Sequence, residues 1–171
     1  MAAIALLAAL SIGARPALAS TAGCTQGVYS GYCGTQTDAE AVPLSWDVFQ
    51  QHSKAGTRII GYPDSSSDRA VDLFTFGYQG GQAKVFEYAP GGIASNLCVT
   101  EPSKGAGLVL AACSGSAHEQ FTATQVADSS TYTWTNVATG DLVTSTGLRG
   151  QLAGVTTPST ITAALEWAFA G

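Results

Sequence analysis

Phe74, Phe121 and Trp167 stand 47 and then 46 residues apart, and each closes a segment of one outline: "AVDLFTF" (70–76), "AHEQFTA" (117–123) and "AALEWAF" (163–169). The match continues upstream. Short apolar runs precede each aromatic: "TRIIGYP" (57–63), "GLVLAAC" (107–113) and "GQLAGVTT" (150–157). Before them lie "LSWDVF" (44–49), "NLCVTE" (96–101) and "DLVTST" (141–146), and before those "YCGTQT" (32–37), "KVFEYA" (84–89) and "TYTWTN" (131–136). All are four to seven or eight residues long, rich in β-branched and aromatic residues, and bounded by Gly, Pro, Ser and Asp. Such runs read as strands separated by turns.

Three repeats of about four strands give twelve strands. Helical periodicity is confined to the N-terminal segment, since "AEAVPLSW" is broken by Pro43. A propeller ordinarily needs four or more blades, and a solenoid needs atypical capping repeats that this chain lacks. A β-trefoil, a barrel closed by three-fold repetition and capped by hairpins, satisfies length, repeat number and strand number together. The expected class is therefore all-β, with repeats at about 24–79, 80–126 and 127–171. The loop after the first strand differs between them, "TDAEAVP", "PGGIAS" and "VATG", as surface connections can without disturbing a core.

The first nineteen residues are read as a signal peptide. "AAIALLAALSIGA" is too short to span a bilayer as a helix, and Ala17-Leu18-Ala19 before Ser20 has the small-x-small form of a cleavage site. No Lys or Arg lies between Met1 and the apolar run, so the natural start is expected a few residues upstream. The remaining 20–171 suffice for a single domain. Loss of Arg15 takes the net charge from −5 to −6, which argues against nucleic acid and against anionic membrane surfaces. With 11% charged residues and abundant Gly, Ser and Thr, the surface suits hydrogen bonding to neutral partners.

Cys24, Cys33, Cys98 and Cys113 show neither a zinc-ligand spacing nor a Cys-x-x-Cys. In an oxidising compartment they read as two disulfides. Sequential pairing is one of three connectivities and the one expected here. A catalytic thiol fits poorly with an even count in an exported chain.

The stretch "NLCVTEPSKGAGLVLAACSGSAHEQFTA" (96–123) resembles one repeat of the ricin B-type trefoil lectins. It has a Cys on its second strand, a partner Cys after a "VL"-type strand, a Gly-Ser turn and a degenerate Q-x-W ending. The resemblance extends from Tyr32 to Gly171 and looks closest to small secreted trefoil proteins of actinobacteria. It implies sugar sites built from an acidic residue after the first Cys, an aromatic platform near the second, and an Asn or Gln before the last Trp. That combination matches a sugar's polar rim and apolar C–H face. Repeat 1 carries Asp47 in "SWDV" at the acidic position, Tyr62 near the platform position and Asp72 at the Q-x-W glutamine. Repeat 2 has Thr100 and Ala111, with His118 and Glu119 at the final pair. Repeat 3 has Thr144, then Gly154 or Val155, and ends in Leu165-Glu166-Trp167. Asp47 is thus the first candidate, with a polar residue at a strand edge as its structural alternative. His118 and Glu119 are the second, with a solvated hairpin end as theirs.

Catalytic chemistry finds little support. The two histidines are His52 and His118. A Ser–His–Asp set from Ser65, Ser66 or Ser67 with His52 and Asp72 lacks a G-x-S-x-G elbow. "DSSSD" (64–68) matches no calcium loop and reads as an Asx-type turn. Glu87, Glu101, Glu119 and Glu166 are expected at hairpin ends, not in a cleft. No H-E-x-x-H, phosphate loop or N-x-S/T sequon occurs. No catalytic residue, cofactor or metal is expected. Of the aromatics, Trp46, Phe74, Phe76, Phe86, Tyr88, Phe121, Trp134, Trp167 and Phe169 are expected mostly in the core. Tyr29, Tyr32, Tyr62 and Tyr78 adjoin Gly or Pro and are expected outside it, with Tyr62 and Tyr78 as sugar platforms.

The sequence thus supports a secreted, monomeric, non-catalytic lectin-like protein with a neutral glycan or polysaccharide as partner. Two alternatives stand beside it: a trefoil scaffold that binds a protein through its 37–43 loop, and a structural cell-envelope protein without a sugar site.

Overall fold

A computed structural model describes residues 32–39, 44–63, 74–79, 83–156 and 162–170, with the backbone alone for 32–38, 75–79 and 169–170. The predicted signal segment and Cys24 lie outside these residues. So does the side chain of Cys33, and with it the expected Cys24–Cys33 bridge.

The strands follow the repeat read from the sequence. Repeat 1 holds β1 (Tyr32–Asp38), β2 (Leu44–Val48), β3 (Ile59–Pro63) and β4 (Phe74–Gln79). Repeat 2 holds β5 (Ala83–Tyr88), β6 (Leu97–Thr100), β7 (Val109–Ala112) and β8 (Gln120–Gln125). Repeat 3 holds β9 (Tyr132–Asn136), β10 (Leu142–Thr144), β11 (Ala153–Val155) and β12 (Trp167–Ala170). Among the described residues no α-helix occurs; single 3-10 turns at Ala117–Glu119 and Ala163–Leu165 lead into β8 and β12.

The first and last strands of each repeat form a ring. In antiparallel pairs, β1 joins β4, β4 joins β5, β5 joins β8, β8 joins β9, β9 joins β12, and β12 returns to β1. Closure leaves the barrel without an open edge. The middle strands form three hairpins, β2–β3, β6–β7 and β10–β11. This is a β-trefoil.

The hairpins meet on the pseudo-three-fold axis. Ile59 N donates to Leu108 O (3.0 Å), Leu108 N to Leu152 O (2.7 Å), and Leu152 N to Ile59 O (2.9 Å). All three side chains are fully buried. This cycle fixes the correspondence between repeats, because Ile59, Leu108 and Leu152 must be equivalent. Counting along each hairpin makes Tyr62 equivalent to Ala111 and Val155, and Asp47 equivalent to Thr100 and Thr144. Val155, rather than Gly154, is therefore the residue of repeat 3 equivalent to Tyr62.

The core collects the repeating aromatics around one residue. The Trp46 ring lies 6.1 Å from Phe74, 6.5 Å from Phe121 and 5.7 Å from Trp167, near edge-on to each. Its counterparts on β6 and β10 are Val99 and Val143, also in the core cluster. One large and two small side chains thus share the space that three-fold symmetry would divide evenly. Phe86 extends the cluster to Trp134 at 5.0 Å. Every aromatic expected in the core whose side chain is described is buried; Phe76 and Phe169 are described only in their backbone. Trp167 Nε1 donates to Val143 O at 3.1 Å, so its burial leaves that donor satisfied.

Cys98 on β6 and Cys113 just beyond β7 form the expected local disulfide, with Cα atoms 5.0 Å apart and a sequence separation of 15. Replacing both cysteines by serine is expected to lower unfolding free energy by about 3 kcal/mol, the loop-closure value for a ring of this size. Urea denaturation of the oxidised wild type against Cys98→Ser/Cys113→Ser measures it.

Candidate functional site

The β2–β3 hairpin of repeat 1 carries a groove of about 420 Å³. Asp47 and Ile60 are directly paired across the two strands, and both line it. Tyr62, two residues further along β3, lies on the same sheet face as Ile60 by strand alternation and also lines the groove. Asp47 is 9% exposed and Tyr62 half-buried. Asp47 and Tyr62, the acidic and platform candidates of repeat 1, thus line one groove.

Four further residues were not anticipated from the sequence. Phe49, Gln50 and Gln51 leave β2 in a 3-10 turn and line the groove. Gln50 and Gln51 adopt left-handed backbone conformations, φ 55° and 54°, which are uncommon for residues with a Cβ. Their exposed amides bring donors and acceptors to the rim. The fourth is Arg149, from the β10–β11 loop of repeat 3. Its guanidinium carbon lies 5.4 Å from the Tyr62 ring centroid, and its Nη2 donates to Tyr62 Oη at 3.4 Å. Nearby, Arg58 packs its guanidinium 4.4 Å from the Phe49 ring centroid. Among the described residues the assembled chemistry is one carboxylate, one accessible phenol ring, two amides and a guanidinium, which suits a polar ligand with an apolar face.

Asp72 lies outside the described residues, as do the side chain of Tyr78 and the "DSSSD" turn. His118 and Glu119 lie in repeat 2, in the turn preceding β8. Glu119 is 2% exposed, so it is not the solvated hairpin end expected for it. Its carboxylate accepts Ser114 N (2.9 Å), Ser114 Oγ (2.6 Å) and Gly115 N (2.8 Å), organising the turn after the disulfide. His118 Nδ1 is 2.8 Å from Glu101 O, and His118 O accepts from Asn136 Nδ2 at 2.9 Å. This pair holds the fold's own backbone and does not join the groove.

Glu87 and Glu101, likewise expected at open hairpin ends, are 0% and 1% exposed. Glu101 sits where the hairpins of repeats 2 and 3 meet. Its Oε2 accepts Thr139 Oγ1 at 2.5 Å, while the neighbouring Asp141 accepts Gly105 N at 2.6 Å. Burial pushes the Glu101 carboxyl above the usual range and the Asp141 charge adds to the rise, against the Thr139 hydrogen bond. Gly154 makes room for this pair, since a Cβ there would collide with Glu101 Oε1. Among the described residues no group of three or more His, Cys, Asp or Glu could hold a metal ion, and no helix is long and apolar enough to cross a membrane.

No family model matches the chain, and no curated protein sequence does. Solved structures match in fold. The designed three-fold symmetric protein ThreeFoil is 14% identical, with a TM-score of 0.65 over 80% of this chain and 97% of its own. A Polyporus squamosus lectin bound to a human-type influenza-binding epitope is 14% identical, with a TM-score of 0.62 over 82% of this chain and 49% of its own. SeviL bound to the asialo-GM1 saccharide is 8% identical, with a TM-score of 0.58 over 80% of this chain and 94% of its own. The protein is a β-trefoil, a fold it shares with these two lectins and with the designed protein.

Two outcomes follow from the Glu101 environment. A carboxyl with a raised folded-state pKa contributes stability that is full below the ordinary carboxylate pKa and is lost as pH rises through the raised value. Glu101→Gln should therefore melt higher than wild type at neutral pH, with the gap narrowing in acid; thermal scans from pH 4 to 8 report this. Gly154→Ala should destabilise by about 1–3 kcal/mol through overpacking, read by urea denaturation.

Proposed function

We propose that this chain is a secreted, non-catalytic carbohydrate-binding protein whose sugar site is the repeat 1 groove. The observation that carries the reading is the convergence of Asp47 and Tyr62 on one groove, with Gln50 and Gln51 at its rim. In this reading the Asp47 carboxylate accepts hydrogen bonds from adjacent sugar hydroxyls, and such charge-assisted bonds are the strong ones. The Tyr62 ring receives the C–H face of the sugar. The two amides have both donors and acceptors to offer further hydroxyls. Repeats 2 and 3 offer Thr100 with Ala111 and Thr144 with Val155, pairs with neither carboxylate nor ring, so a stoichiometry of one sugar per chain is expected. Two matched folds are described with a saccharide bound, which supports the ligand class in general; a fold by itself hosts many functions.

A glycan array probed with the purified protein tests the reading. Hits are expected, and Asp47→Asn and Tyr62→Ala should each weaken the leading hit about tenfold or more. His118→Ala should leave it unchanged. An array without hits at high protein concentration, or hits indifferent to both groove variants, overturns the proposal.

A further inference from the structure

We propose that the groove selects glycans bearing an acid group, a carboxylate or sulfate, beside the ring that stacks on Tyr62, and that Arg149 is the residue that determines this specificity. The inference rests on the groove being the glycan site and goes beyond it to the class of glycan.

Three-fold correspondence shows what is unusual about Arg149. It stands three residues before Leu152, where Gly56 stands three before Ile59 and Gly105 three before Leu108. All three adopt left-handed backbone, with φ of 86° at Gly56, 72° at Gly105 and 58° at Arg149. The trefoil thus demands this conformation at each hairpin and meets it with glycine twice, the residue that adopts it without steric cost. Arginine adopts it against its preference, and such outliers point to a use for the side chain. A Cβ at Gly56 or Gly105 would find open space, so room for a side chain exists at all three hairpins and is used at one.

That one hairpin is the one facing Tyr62. Arg149 N donates to Gly61 O at 2.7 Å, and Gly61 N donates to Gly150 O at 2.9 Å. The loop of repeat 3 is therefore fastened to β3 immediately before the platform residue. Around the axis, Gly56 likewise donates to Leu110 O at 2.8 Å, beside Ala111. The non-glycine residue and the aromatic platform coincide at a single junction.

The guanidinium is exposed. Beyond its 3.4 Å contact with Tyr62 Oη and its position against the ring, it makes no hydrogen bond or ion pair among the described residues. Guanidinium has five N–H donors in a fork that matches carboxylate and sulfate oxygens, so most of them remain for a ligand at the edge of the platform. Asp47, on β2, is the one carboxylate lining the groove among the described residues and serves hydroxyls; Arg149, arriving from another repeat, serves the acid group. The chain's net charge of −5 disfavours acidic ligands in general, which makes a local cation a requirement for binding one.

Matched pairs on the array test this: sialylated against desialylated, glucuronate-ended against glucose-ended, and sulfated against unsulfated galactosides. The acidic member of at least one pair should bind about three- to tenfold tighter, an exposed charge-assisted contact, with the advantage shrinking as salt rises. Which pair responds distinguishes carboxylate from sulfate. Arg149→Gly should abolish the advantage while leaving the melting temperature equal to or above wild type, since it relieves the backbone. Arg149→Lys should keep part of it. Binding of neutral and acidic members alike, unaffected by Arg149→Gly, overturns the specificity and leaves the groove as a neutral-sugar site. No binding to any glycan overturns both.

Discussion

Three backbone hydrogen bonds among Ile59, Leu108 and Leu152 hold the centre of this molecule. Each hairpin donates to one neighbour and accepts from the other, so no hairpin can move without stranding a buried donor and a buried acceptor. An unmatched buried polar group costs about 1–3 kcal/mol, and the cycle ties that penalty to all three repeats at once. Further bonds between hairpins, such as Gly61 N to Gly150 O and Gly154 N to Ala106 O, surround this cycle, and β2, β6 and β10 each also pair with a barrel strand.

Closure also explains the asymmetry of the core. The backbone obeys the three-fold relation closely, but the side chains at equivalent positions do not. Trp46 fills the axis region that Val99 and Val143 leave open, and it touches the aromatic that ends each repeat. A core needs correct total volume in low-energy packing, not equal shares from each repeat. Once the backbone frame is fixed, each repeat is free to differ in its outward positions. Asp47 and Tyr62 against Thr100 and Ala111, or Thr144 and Val155, is that freedom expressed on the surface.

Buried carboxylates mark where repeats join. Glu119 organises the turn after the disulfide through three hydrogen bonds, and Glu101 lies against Asp141 between the hairpins of repeats 2 and 3. From the sequence these residues read as exposed hairpin ends, since a lone Glu beside a turn is ordinarily solvated. Their burial follows from turns that fold back over them and supply N–H and O–H donors, an arrangement without any local sequence pattern.

Much of the architecture was legible because it rests on period and alternation. The recurrence of Phe74, Phe121 and Trp167, and the short β-branched runs between them, set twelve strands in three repeats. The local Cys98–Cys113 bridge was legible for the same reason, a short spacing along one hairpin. Asp47 and Tyr62 could be singled out by position within a repeat. Arg149 could not: it lies 87 residues from Tyr62 along the chain. Its correspondence to Gly56 and Gly105 shows only once Ile59, Leu108 and Leu152 are known to be equivalent. Sequence by itself determined the repeat, the strands and the identity of the core, since these follow from side-chain periodicity along the chain. Tertiary structure alone decided which loop meets Tyr62, because closing a ring brings the last hairpin against the first.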